Sequence, residues 1–192
     1  MTWLVLGLCL FLGVHSVRIF GEGWRTQMLA RLGEGGWKGV YSVLSLLGLV
    51  LIIWGYGIAR QQPLVLWPSP AWARHLASPL TLLAFVLLVA AYVPGNWIKA
   101  KVHHPMVVGV KVWAFSHLLA NNTVADMVLF GSFVLWAVLN FRAARARDRA
   151  AGTVYAAGRW GPTLVTVLVG IVAWLAFALW AHQALFGVRP FG

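Results

Sequence analysis

The chain has 192 residues, 61% of them hydrophobic and only 10% charged, against roughly 25% charged in a soluble domain. That balance, with a mean hydropathy of +0.81, excludes a soluble globule and reads as a single membrane domain over residues 1–192. The net charge of +11 lies between apolar runs, so it points to anionic membrane lipids and excludes a nucleic-acid partner.

Taken in chain order, the apolar runs predict an all-α polytopic transmembrane helix bundle of about six spans, near 3–20, 38–59, 75–93, 104–120, 124–141 and 162–184. Several sit at the short end of the ~17–25 residues a bilayer requires. Met1–Phe20 lacks the basic start and the small-residue cleavage site of a signal peptide and reads as a retained span. The single cysteine, Cys9, has no partner for a disulfide and no Cys-x-x-Cys-His around it, which excludes covalent haem c. It reads as a small buried apolar residue. Residues 61–72 hold three prolines and two tryptophans, the composition of an interfacial loop. Residues 142–152 are expected to extend span five as a wet basic helix, within a basic cytoplasmic segment 142–161.

Six spans place Arg18, Arg25, Arg31, Lys38, Lys99, Lys101, Arg142, Arg145, Arg147, Arg149 and Arg159 on one side. Only Arg60, Arg74 and Arg189 fall on the other. The positive-inside rule then puts both termini outside the cytoplasm.

Ionisable groups at membrane depth are costly and mark binding or transfer chemistry. His15 and His117 are the best placed of the six histidines. His15 and Arg18 share a helical face at i,i+3, so one can ligate iron while the other meets a haem propionate; the alternative is that His15 caps span one near the interface and hydrogen-bonds a neighbouring carbonyl. Further on, Pro105 is a helix-start signal that puts His104 at the cap of span four. His117 follows thirteen residues later, about 220° around the helix, so His104 and His117 cannot chelate one metal. Trp113 is one turn before His117 and is expected against a flat ring or a polyene. Lys111 either snorkels to the interface or pairs with an anionic group. His75 and His182 read as interfacial. The only acids are Glu22, Glu34, Asp126 and Asp148, and none reads as deep in a span. Hydrolytic metal sites and carboxylate relays are therefore unsupported, and no nucleotide or nucleophile-elbow fingerprint occurs.

What remains is a haem iron held by imidazoles from two helices. His15 on span one and His117 on span four fit, but at unequal depths: about 18 Å and about 5 Å from their outer span ends at 1.5 Å per residue. His104 lies closer to the depth of His15 and stays as a rival ligand.

Five segments together carry a family resemblance. They are Gly13-Val14-His15-Ser16-Val17-Arg18, Gly33-Glu34-Gly35-Gly36-Trp37-Lys38-Gly39-Val40-Tyr41-Ser42, Trp54-Gly55-Tyr56-Gly57, His104-Pro105-Met106, and Lys111-Val112-Trp113-Ala114-Phe115-Ser116-His117-Leu118-Leu119-Ala120-Asn121. They resemble the NnrU family of bacterial membrane proteins over about residues 5–140. Asn122 stands where that pattern leads one to expect glycine. The resemblance implies a multi-pass protein of the bacterial inner membrane linked to nitrite and nitric oxide metabolism in denitrification. It also implies kinship with zeta-carotene isomerase, a haem b enzyme that isomerises a polyene double bond when its iron is reduced. Carried over by motif, the iron ligands fall on His15 and His117, and the partner is an apolar small molecule or nitric oxide.

Two other functions compete. His104-Pro105-Met106 is similar to the His-Pro motif of isoprenylcysteine methyltransferases, although the acidic cofactor motif of those enzymes has no counterpart beyond Asp148. A non-enzymatic assembly or haem-delivery role is the other.

Overall fold

A computed structural model of the chain describes residues 1–68 and 70–190. The described residues are helical, with no β-strand longer than an isolated bridge. In chain order the helices are α1 (Thr2–His15), α2 (Val17–Phe20), α3 (Glu22–Ala59), α4 (Ala71–Tyr92), α5 (Trp97–Val102), α6 (Pro105–Ala120), α7 (Val124–Ala150), α8 (Trp160–Ala176) and, after a π-helical turn at Phe177–Ala181, α9 (His182–Phe186). Four stretches are long and apolar enough to cross a membrane: Glu22–Ala59, Ala71–Tyr92, Val124–Ala150 and Trp160–Phe186. The chain is an all-α integral membrane protein. α1 and α6 are apolar but have only 14 and 16 residues, which at 1.5 Å rise is roughly 21 and 24 Å against a hydrocarbon core of about 30 Å.

The helices fall into two compact units, one from residues 1–68 with 121–146 and the other from residues 70–120 with 147–190. In the first, α1 runs antiparallel along the second half of α3. Glycines set the distance. A Cβ added at Gly55 would lie 2.3 Å from the Leu4 nitrogen, one at Gly7 2.6 Å from the Ile52 nitrogen, and one at Gly48 2.8 Å from the Phe11 nitrogen. Close backbone approach through small residues is what holds helices together where lipid removes the hydrophobic drive. The stripe Leu4, Gly7, Leu8 faces this seam and is buried. On α3 the buried set is Gly48, Ile52 and Gly55, while Val43, Leu46, Leu47, Val50, Ile53 and Trp54 are exposed. The outward face is as apolar as the inward one, as a lipid-facing surface must be. Cys9 sits on the outward face of α1 and is exposed, which corrects its reading as a buried residue. Membrane exposure and burial select the same residue types.

α3 begins sixteen residues before the predicted span. Its first part, in the basic segment 18–38, is helical although polar. Glu22 pairs with Arg18 at 3.2 Å and Arg25 at 2.9 Å, and Glu34 with Lys38 at 2.9 Å. Such i,i+3 and i,i+4 pairs support an exposed helix. Gly33, at φ 68 and ψ 169, kinks α3 between the two parts, a conformation open to glycine at little cost.

The 61–68 loop is anchored within the first unit. Leu66 N–H donates to the Asn122 carbonyl at 2.8 Å and Val124 N–H to the Leu64 carbonyl at 3.0 Å. The Asn122 amide also donates to the Trp67 carbonyl, a use of this side chain that glycine could not supply.

In the second unit α4 packs against α6 and α8. Gly109 on α6 abuts Ala84, Leu87 and Leu88, and Gly170 on α8 abuts Val86. The Trp174 indole N–H donates to the Thr81 hydroxyl at 3.0 Å. Asn96 caps α5 by accepting from Lys99 N–H, and its amide donates to the carbonyls of Ala90 and Val93. α7 continues through its arginines to Ala150, and its last turn belongs to this unit.

Candidate functional site

The first unit builds a box around His15. The residue closes α1, because Ser16 interrupts the helix before α2 begins. Its Nδ1 lies 2.7 Å from the Phe11 carbonyl oxygen. A carbonyl can only accept, so it is Nδ1 that donates. The Phe11 ring stacks on the imidazole at 4.2 Å, Tyr41 lies 5.2 Å away and Trp136 stands edge-on at 6.1 Å. The box therefore takes one wall from each of α1, α3 and α7. The indole N–H of Trp136 is buried without a hydrogen-bond partner, as is the Ser45 hydroxyl. Beyond the helix break, Arg18 is paired with Glu22 and is largely exposed. An open groove of about 490 Å³, lined by Gly13, Ser16, Val17, Phe20, Gly21 and Trp24, runs past the same break.

The second unit holds the α6 residues singled out by sequence. His117 repeats the local geometry of His15. Its Nδ1 lies 2.8 Å from the Trp113 carbonyl oxygen, with the Ser116 hydroxyl at 3.3 Å, and the Trp113 ring is 5.2 Å from the imidazole. Lys111 is half-buried on the same helix. Here too Nδ1 donates to a carbonyl of its own helix.

His104 is built differently. It precedes Pro105, the first residue of α6, as a cap position should. Its Nε2 lies 2.7 Å from Asp148 Oδ2, and the Tyr155 hydroxyl donates to the same oxygen at 2.9 Å. The neighbouring His103 takes φ 66, unusual for a side chain with a Cβ, and stacks on Tyr155 at 4.2 Å. The His-Pro corner is thus joined to the last turn of α7, and it is Nε2 of His104 that faces the carboxylate.

Sequence reasoning set the acids aside, and two of them are placed in networks. Besides Asp148, Asp126 is only 4% exposed. It accepts from the Tyr56 hydroxyl and from the Thr123 hydroxyl and N–H, while Thr123 Oγ1 accepts from Asp126 N–H. The signal was legible as a capping box, Thr123-x-x-Asp126. The tie to Tyr56, seventy residues away, was not. Among the described residues no cluster of three or more His, Cys, Asp or Glu side chains forms a metal site.

The chain matches the NnrU protein family over residues 3–190, nearly its whole length. It belongs to the NnrU family. No curated protein sequence and no solved structure matches this NnrU chain.

Proposed function

We propose that this NnrU protein binds haem b, with His15 and His117 each giving the Nε2 lone pair to iron. The observation that carries the reading is their common Nδ1 geometry. Each donates Nδ1–H to the carbonyl four residues earlier on its own helix. A metal-bound imidazole characteristically makes this second hydrogen bond, which fixes ring orientation and raises ligand basicity. His104 has its Nε2 against Asp148, a contact that an iron at that nitrogen would have to displace. The fit extends to the walls. Around His15, Phe11 and Tyr41 offer flat apolar surface and the Trp136 N–H is buried without an acceptor; beside His117, the Trp113 ring does the same in its own unit.

Haem b, when bound, supplies a one-electron iron centre able to hold nitric oxide or to act on a polyene double bond in its reduced form. The protein's own part is to exclude water around the imidazoles and hold their orientation. We assign it to nitrite and nitric oxide metabolism in the inner membrane of a denitrifying bacterium, with redox-gated cis-trans isomerisation of a carotene-like polyene as the enzymatic form of the same chemistry. In this reading α1 and α6 also cross, giving six spans with both termini outside the cytoplasm, and the eleven cations between spans face anionic lipid inside.

The test is an absorption spectrum of protein purified in mild detergent from haem-replete cells. A Soret band is expected, retained in His104→Ala and lost in folded His15→Ala and His117→Ala. Wild-type protein without the band overturns the reading.

A further inference from the structure

We infer that Tyr41, Ser45 and Trp136 form an uncharged hydrogen-bonding subsite that receives a propionate of the haem held by His15. The inference rests on the haem reading and adds to it a set of residues that sequence reasoning passed over in favour of cations.

Placement comes first. The α1–α3 seam pairs Leu4 with Gly55, Gly7 with Ile52 and Phe11 with Gly48. Continuing that antiparallel register sets His15 level with residue 44, so Tyr41 and Ser45, one helical turn apart, flank it on α3. The 5.2 Å separation of the Tyr41 and His15 rings agrees with this register. Trp136 closes the box from α7, its ring plane at 83° to the imidazole.

Chemistry selects the ligand. An indole N–H donates and cannot accept. Buried without a partner, it carries an uncompensated desolvation cost. The Ser45 hydroxyl is buried and unpartnered as well. A hydrocarbon entering the box offers neither group an acceptor, whereas a carboxylate offers two oxygens, and hydrogen bonds to a charged acceptor are the stronger kind. On the rim of haem b the propionates are the polar acceptors. Neutral donors also avoid placing an arginine or lysine in the apolar interior. Arg18, the cation expected to meet a propionate, is paired with Glu22 on the exposed side of the helix break.

The experiment titrates apo-protein with haem b and, separately, with haem b dimethyl ester, whose carboxylates are capped. Wild type, Trp136→Phe and Tyr41→Phe are compared, each with a thermal midpoint for the apo form. We expect Trp136→Phe to weaken haem b binding by about tenfold and to leave dimethyl ester binding unchanged. The apo midpoint should stay level or rise, because an unsatisfied N–H has been removed. Tyr41→Phe should show the same selectivity for the free acid. Two results overturn the subsite while sparing the haem reading: unchanged haem b affinity in both variants, or an equal loss for acid and ester. Wild-type protein that takes up neither porphyrin overturns both.

Discussion

The seam between α1 and α3 holds His15 in place, and Gly55→Ala tests it. The new methyl would sit 2.3 Å from the Leu4 nitrogen, where ordinary contact begins at 3.4 Å, so α1 must move out by roughly 1 Å at that end. Displacement of 0.5–1 Å forfeits about a quarter to a half of a dispersion well, and a buried leucine makes about 40–60 contacts of ~0.1–0.2 kcal/mol each. Leu4 is fully buried. Losing a quarter of its contacts costs about 1–3 kcal/mol, the range measured for overpacked cores. Gly57→Ala is the matched control, two residues along the same helix with nothing within 4 Å of its new methyl. Both variants gain the helix propensity of alanine, up to about 1 kcal/mol, so their difference isolates the seam. We expect Gly55→Ala to be less stable than Gly57→Ala by about 2 kcal/mol, read from SDS titration in mixed micelles by far-UV circular dichroism. Equal midpoints for the two variants would refute the packing argument.

Tyr56→Phe removes a hydrogen bond to the buried Asp126 carboxylate and should cost about 1–2 kcal/mol in the same titration; no change would mean that Asp126 is satisfied by Thr123 alone. Asp148→Asn takes the ionic partner from His104 and should lower the thermal midpoint without altering the Soret band. Disappearance of the band in that variant would make His104 an iron ligand in place of His117. Cys9, exposed on the outward face of α1, should react with a lipid-soluble maleimide and resist a membrane-impermeant sulfonated one. Equal labelling by both reagents contradicts a lipid-facing α1.

Four of the predicted spans coincide with helices long enough to cross, because a run of apolar residues at this length has few alternatives to helix in a membrane. Pro105 marked the start of α6. Three features were not legible, each for its own reason. The early part of α3 is polar and glycine-rich, so hydropathy passed over it, while its Glu22 and Glu34 ion pairs hold it helical. Cys9 and Trp136 carry no mark of which side of their helix they occupy, since lipid and protein interior both select apolar residues. The ties of Tyr56 to Asp126 and of His104 to Asp148 join positions 70 and 44 residues apart, and such pairs are set by packing rather than by spacing.

The histidines also show how one fold holds an imidazole in two ways. A histidine in mid-helix or at the helix end reaches the carbonyl four residues back without help from any other element, as His15 and His117 do. The helix alone therefore orients the ring and holds Nδ1 as the donor. His104 precedes its helix, because Pro105 starts α6 one residue later. Its Nε2 is held by Asp148 on another helix. Position relative to a helix start thus decides which ring nitrogen is tied down, and by what.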